Sequence, residues 1–217
     1  MINVFPQIKV KSNDEIDLSR VKWLKKDLKI LKKNILSYAP RNFNSGNLDR
    51  LRIRIFKFSR MERCNEFFAI DGNKKYVCLN SCMLNRRYYS ALGHTLHGIV
   101  HSFCHLKDDI AEEAFCEYVS YSILKEFLDK KGKKFCRKIV RGIMGESPKN
   151  YNKYYRATRK LEKKKEGIIL KMNSQSKNRK ISKKEQRKIF YKLTRLREIE
   201  DDGSPDIPEL ERGFRKA

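Results

Sequence analysis

Two histidines one helical turn apart, His97 and His101, precede a glutamate-rich run by a dozen residues, and this arrangement narrows the fold more than any other stretch. The segment Leu92–Tyr118 reads LGHTLHGIVHSFCHLKDDIAEEAFCEY and holds all four histidines of the chain: His94, His97, His101 and His105. At ~100° per residue, steps of three, four and four keep them on one narrow helix face. Two imidazoles at His97 and His101 then reach one ion from the same side, the spacing that H-E-x-x-H zinc helices use. Glu112, Glu113 and Glu117 follow on a second expected helix. One of these carboxylates completes a three-ligand set and leaves a fourth position open for water. Zinc is the ion that two imidazoles and a carboxylate suit best. His105 is a further candidate third ligand if the helix breaks after Cys104.

Position 98 carries the general base in metallopeptidase helices of this type, and here it is glycine. The shifted register, His101 to His105, offers Ser102 at that point, which is no base. The site is therefore built to bind a metal, with its catalytic competence open.

In chain order, Val21, Leu24, Leu28, Leu31 and Ile35 recur helically, with Trp23 read into the same core face and lysines opposite. Of the two capping residue types, Asp17 and Ser19, the second is nearer the periodic run and is read as the N-cap. The helix stops before Pro40. Arg41–Asn47 is a loop. Leu51–Phe58 alternates apolar with basic residues as far as Ile55 and slips by one at Phe56, which predicts a half-buried strand, bulged at the slip, with Arg52 and Arg54 outward. Glu66–Ile70 and Lys74–Asn80 are two further strands, and Asp71-Gly72 between them marks a hairpin. Ser81–Tyr89 is a connector. The histidine helix is predicted from Ser90 to about His105. A second helix, capped by Asp108 or Asp109, runs from Ile110 to Leu128 with Phe115, Val119, Ile123 and Phe127 at core spacing.

Beyond Lys130 the character changes. Residues 130–197 hold 26 of the 51 lysines and arginines. Helices are predicted over Phe135–Met144, Tyr151–Leu170 and Lys183–Ile199, with breaks at Ser147 and Asn173 and a thin stripe of Ile189, Phe190, Leu193 and Leu196. The formal net charge of +25 predicts attraction to polyanions, meaning nucleic acid, a ribosome or an anionic membrane surface, with nucleic acid or another polyanion as candidate partner of residues 130–199. Tyr151, Tyr154 and Tyr155 lie among these cations and are placed to stack on bases. The six cysteines are Cys64, Cys78, Cys82, Cys104, Cys116 and Cys136, with no C-x-x-C pair. Cys104 and Cys116 read as small buried hydrophobes. Cys78 and Cys82 match no common zinc spacing. The polar N-terminus has no signal-peptide pattern and no stretch has the apolar length of a membrane span, so a cytoplasmic chain with reduced thiols is expected.

A backing helix, three strands ending in YVCLN, a metal helix and a glutamate helix together resemble the minimal zincin fold, in its gluzincin branch of thermolysin-like and aminopeptidase-like metallopeptidases. EEAFCEY is similar to that branch's N-E-G-F-A-x-Y segment. The resemblance spans roughly residues 19–128. It implies His97, His101 and Glu113 as zinc ligands, Phe115 at the following aromatic position and Tyr118 at the tyrosine position, where an oxyanion is stabilised. It also implies that Val77 and Leu79 lie on the strand along a cleft for a polypeptide. Gly98 departs from the pattern, and so does the short gap between His101 and Glu113.

The expected fold is α+β: a zincin-like domain over residues 1–129 with a small, mainly antiparallel sheet, a basic helical extension over 130–200, and a disordered tail over 201–217. The expected function is that of a zinc-binding, metallopeptidase-like protein with impaired or absent hydrolysis, since losing a general base removes ~10²–10⁴-fold of rate. The rival expectation is a basic nucleic-acid- or ribosome-associated protein whose histidine helix is structural.

Overall fold

The computed structural model describes residues 5–10, 16–40, 43–56, 66–71, 74–86, 88–132, 158–160, 162–163, 167–177 and 181–194. Its elements are β1 (Gln7–Val10), α1 (Leu18–Tyr38), α2 (Ser45–Asp49), β2 (Arg52–Phe56), β3 (Glu66–Asp71), β4 (Lys74–Asn80), α3 (Ser81–Arg86), α4 (Tyr88–His101), α5 (Asp109–Asp129), α6 (Ile168–Lys177) and α7 (Lys183–Thr194). Several expectations fall outside these residues: the helix over Phe135–Met144, the break at Ser147, the tyrosines 151, 154 and 155, the side chains of the α7 stripe, Cys64, Cys136 and the tail.

Helices and sheet together make an α+β fold. The sheet has the order β1-β2-β4-β3. It is mixed, with β1–β2 and β2–β4 parallel and only β3–β4 antiparallel, which corrects the mainly antiparallel expectation. The error has two sources. β1 is four residues, QIKV, too short to stand out by alternation. Alternation also says which face a strand buries, not the direction of its partner. Parallel neighbours need a crossover, and α1 supplies the one between β1 and β2. The Lys74–Asn80 strand pairs antiparallel with β3, as the Asp71-Gly72 signal predicts.

α1 buries Leu24, Leu28, Leu31 and Ile35 in the core. Its N-cap is Asp17, not Ser19: the Asp17 carboxylate accepts from the backbone N–H groups of Ser19 and Arg20, and from the Ser19 hydroxyl. A carboxylate serves several orphan donors better than a hydroxyl does. Trp23 does not join the core: it is 54% exposed and meets Tyr88 edge-on. The helix ends at Tyr38, before Pro40, as read from sequence. Two short helices stand where connectors were expected, α2 within the 41–49 region and α3 after β4.

β4 is buried on both faces from Tyr76 to Asn80. Ile53, Ile55, Val77 and Leu79 turn to the helices, and all are fully buried. Arg52 and Arg54 take the other face, where the Arg54 guanidinium lies 3.9 Å from the Tyr76 ring centre. Because β4 lies between β2 and β3, Val77 and Leu79 line no open cleft. The edge strand beside the histidine helix is β3, whose Phe68 stacks on the His101 ring at 6.1 Å.

α4 stops at His101, so His105 leaves the helix and the four-histidine face is cut to three. The cause is tertiary. Phe103 drops into the core, the Lys75 ammonium takes the Ser102 carbonyl at 2.6 Å, and the Asn173 amide donates to the Phe103 carbonyl at 3.2 Å. α5 begins as predicted, with Asp108 accepting from the Ala111 N–H, and it buries Phe115, Val119, Ile123 and Phe127.

The chain does not break at Asn173: α6 runs through it, and Asn173 and Ser176 are buried. Ile169 and Met172 belong to the same apolar core as α4 and α5. Asn173 accepts from the His105 N–H at 2.6 Å, and Gln186 of α7 accepts from the Lys107 N–H at 2.8 Å and the Asp108 N–H at 3.3 Å. Arg187 pairs with the buried Asp108 at 2.9 Å. Asn173 of α6 and Gln186 and Arg187 of α7 thus grip the loop that joins α4 to α5. Among the described residues no helix is long and apolar enough to cross a membrane.

Candidate metal centre

α4 and α5 pack side by side, and their facing turns carry the polar residues singled out above. His97 and His101 project from one side of α4, and Glu113 meets them from α5. The His97 Nε2 and His101 Nε2 atoms are 2.9 Å apart. Glu113 places Oε2 at 3.2 Å from His97 Nε2 and Oε1 at 3.5 Å from His101 Nε2. Tetrahedral ligand atoms around zinc sit about 3.3 Å from one another, given Zn–N bonds of ~2.0–2.1 Å. The three residues expected from sequence are therefore brought together at that spacing.

The other two glutamates take different places. Glu112 Oε1 lies 2.9 Å from His101 Nδ1, and Glu117 Oε1 lies 3.4 Å from His97 Nδ1. An ionised carboxylate only accepts, so in the tautomer that satisfies Glu112 and Glu117 each imidazole carries its proton on Nδ1 and turns the Nε2 lone pair inward. Two lone pairs and a carboxylate facing one point repel unless a proton or a cation lies among them. The donor set thus fits a metal ion, and each histidine already has the carboxylate partner that fixes ligand imidazoles.

Burial tends to raise the Glu113 carboxyl, but hydrogen bonding with His97 and the charges of His97 and His101 hold it below the usual carboxylate range. Burial pushes the Cys116 thiol well up, helped by the Cys104 thiol and by the charges of Glu113 and Glu112.

Cys116 was missed as a site residue. One nitrogen of His97, one of His101 and the Cys116 sulfur all lie within 4.8 Å of one another, a group able to hold a metal ion. The signal was present in EEAFCEY, since Cys116 stands three residues after Glu113 and so shares its face of α5. Burial of small cysteines is common enough to hide it.

The remaining candidates lie elsewhere. His94 lines a small cleft behind His97 together with Gly93, Glu117, Ser120 and Tyr121. Glu117 is 5% exposed, and its Oε2 has no hydrogen-bond partner there. His105 sits against Lys75 and Lys177, and burial followed by those charges lowers its basicity. Tyr118 is on the side of α5 toward α1, beside Tyr38, not among the ligands. Asp108 caps α5 and pairs with Arg187. Cys78 and Cys82 are outside the metal-competent group.

Gly98 faces the sheet. A Cβ built on it would lie 2.6 Å from Val77 Cγ1, closer than real Cβ contacts come, and 3.3 Å from Val77 Cγ2, a tight contact. α4 can approach β4 this closely because residue 98 has no side chain, which gives a physical reason for a residue that costs a helix about 1 kcal/mol against alanine. No family model matches the chain, and no curated protein or solved structure compared with it is significantly similar.

Proposed function

We propose that the chain is a zinc-binding protein of metallopeptidase-like, gluzincin-like build that does not hydrolyse peptides at an enzymatic rate. The observation that carries this reading is the convergence of His97 Nε2, His101 Nε2 and the Glu113 carboxylate, with Glu117 and Glu112 behind the two imidazoles. The order of backing helix, strands, histidine helix and glutamate helix supports it. A zinc ion bound there would supply Lewis acidity toward a carbonyl or a water where a coordination position stays open. What the chain lacks is a base. Position 98 is turned to Val77 and has no room for a carboxylate. Glu112 and Glu117 are engaged with imidazole nitrogens, so neither is placed to take a proton from a reacting group. A polypeptide ligand would lie along β3, the sheet edge beside His101 among the described residues, by adding a strand to it.

Elemental analysis tests the reading. The purified protein is expected to hold one zinc per chain. His97→Ala and His101→Ala should each lower zinc affinity by more than the ~10–100-fold that loss of a supporting partner costs, and Glu117→Gln should fall within that range. Equal zinc content in the wild type and in a His97→Ala/His101→Ala double variant would end this account.

The charge of +25 favours a second, compatible role in polyanion binding. On α1, Lys22, Lys25, Lys26, Lys29 and Lys33 are all exposed, and α7 exposes Lys183, Lys184, Arg187 and Lys188. Titration with a mixed-sequence RNA should give an affinity that falls steeply with salt, by ~10³–10⁵ between 50 and 200 mM if six to ten phosphates are contacted. Chelator should leave that affinity unchanged. A salt-insensitive association would rule the role out.

A further inference from the structure

Cys116 does not fit an open, catalytic metal site, and its place beside the histidines asks for a different arrangement. Two facing helices each present a pair of ligand types on one face. α4 presents His97 and His101 at i and i+4, and α5 presents Glu113 and Cys116 at i and i+3. The Glu113 oxygens and the histidine nitrogens are already at tetrahedral spacing. The Cys116 sulfur is within 4.8 Å of a nitrogen of each histidine, where a four-ligand zinc site needs about 3.6 Å given Zn–S bonds of ~2.3 Å and Zn–N bonds of ~2.0–2.1 Å. A shift of about 1 Å closes that difference, within the reach of a cysteine rotamer change. The side chain is fully buried, with the Cys104 thiol beside it.

Resting on the metal-binding reading above, we infer that Cys116 is the fourth protein ligand, so that His97, His101, Glu113 and Cys116 enclose the ion completely. On ligation the Sγ–H bond breaks, its proton leaves to solvent, and a sulfur–metal bond forms. Closed four-ligand sites are structural, whereas catalytic zinc keeps one position for water or substrate. The absence of a base at position 98 and the closure by Cys116 then have one meaning: the ion ties α4 to α5 and is not offered to a substrate. Zinc in this protein stabilises the junction of the two helices, and the ligand that reads the surface meets no exposed metal.

Cobalt(II) is the probe. The full chain titrated with cobalt chloride should show a thiolate-to-cobalt charge-transfer band in the near ultraviolet, with the strong visible absorption of a four-coordinate ion. Cys116→Ser should bind cobalt without the near-ultraviolet band. X-ray absorption on the zinc-loaded wild type gives a check that needs no variant: one sulfur neighbour at ~2.3 Å is expected. Stoichiometric cobalt binding with no thiolate band, or zinc with only nitrogen and oxygen neighbours, overturns the closure and leaves the metal-binding reading standing. A band that persists in Cys116→Ser also overturns it, because another thiol is then the ligand. No cobalt uptake at all, or uptake that His97→Ala leaves unchanged, overturns both.

Discussion

Placing glutamate at position 98 is expected to unfold the domain instead of giving it peptidase activity. The Cβ alone would meet Val77 Cγ1 at 2.6 Å, and Val77 is fully buried on the central strand β4. Overpacking of this kind costs typically 1–3 kcal/mol, against about 1 kcal/mol regained from better helix propensity. The carboxylate then adds an unpaired charge between helix and sheet, and breaking the pairing of a buried charge costs about 3–5 kcal/mol. The total approaches the whole stability of a domain, roughly 5–15 kcal/mol. Gly98→Ala isolates the packing part and should lower stability by about 1 kcal/mol. Combined with Val77→Ala, which opens the space, the two changes should be less costly than their sum by about 1 kcal/mol. Denaturant melts of the four proteins measure this coupling. Strict additivity, or a soluble Gly98→Glu variant of native stability, would remove the argument that the glycine is there for helix–sheet contact.

Gln186→Leu should give the second large effect, though it lies far in sequence from any ligand. The side chain is fully buried. Its oxygen serves the Lys107 and Asp108 N–H groups, and its amide nitrogen donates to the Ser176 hydroxyl and, at 3.2 Å, to the Ile181 carbonyl. Leucine keeps the volume and leaves four polar groups without this partner. Each buried group left unsatisfied costs about 1–3 kcal/mol, so a loss of about 3–5 kcal/mol is expected after partial relaxation. The loop it holds sets where α5 begins, and hence where Glu112, Glu113 and Glu117 stand, so zinc affinity should fall as well. Lys184→Ala, on an exposed position of the same helix, should change neither. An unchanged melting temperature in Gln186→Leu would show that α7 does not support the loop.

Those two residues mark the boundary of what the amino-acid order revealed. Elements decided by their own neighbours in the chain were legible. The leucine period of α1, the antiparallel pairing of β3 with β4, and the cap and core stripe of α5 all came through. The nearness of the His97 and His101 rings was legible for the same reason, since one-turn spacing puts them together whatever surrounds them. Features decided by distant residues were not. The apolar periodicity continues through Phe103, and only Lys75 and Asn173, taking the carbonyls of Ser102 and Phe103, show that α4 stops at His101. Residues 173–180 are rich in turn formers, yet Asn173 and Ser176 are helical because their polar groups are satisfied by His105, Phe103 and Gln186. Gly98 could be recognised as a missing base but not as a contact, because Val77 is what gives it that meaning.

The grip of Asn173 and Gln186 on the α4–α5 loop also sets an order of events during synthesis. The ribosome releases His97, His101 and all three glutamates before it has made Asn173 or Gln186. A nascent chain halted between them owns every proposed metal ligand but none of the side chains that fasten the turn between α4 and α5. The last part of the described chain to be translated is thus the part that locks the first-made site into register.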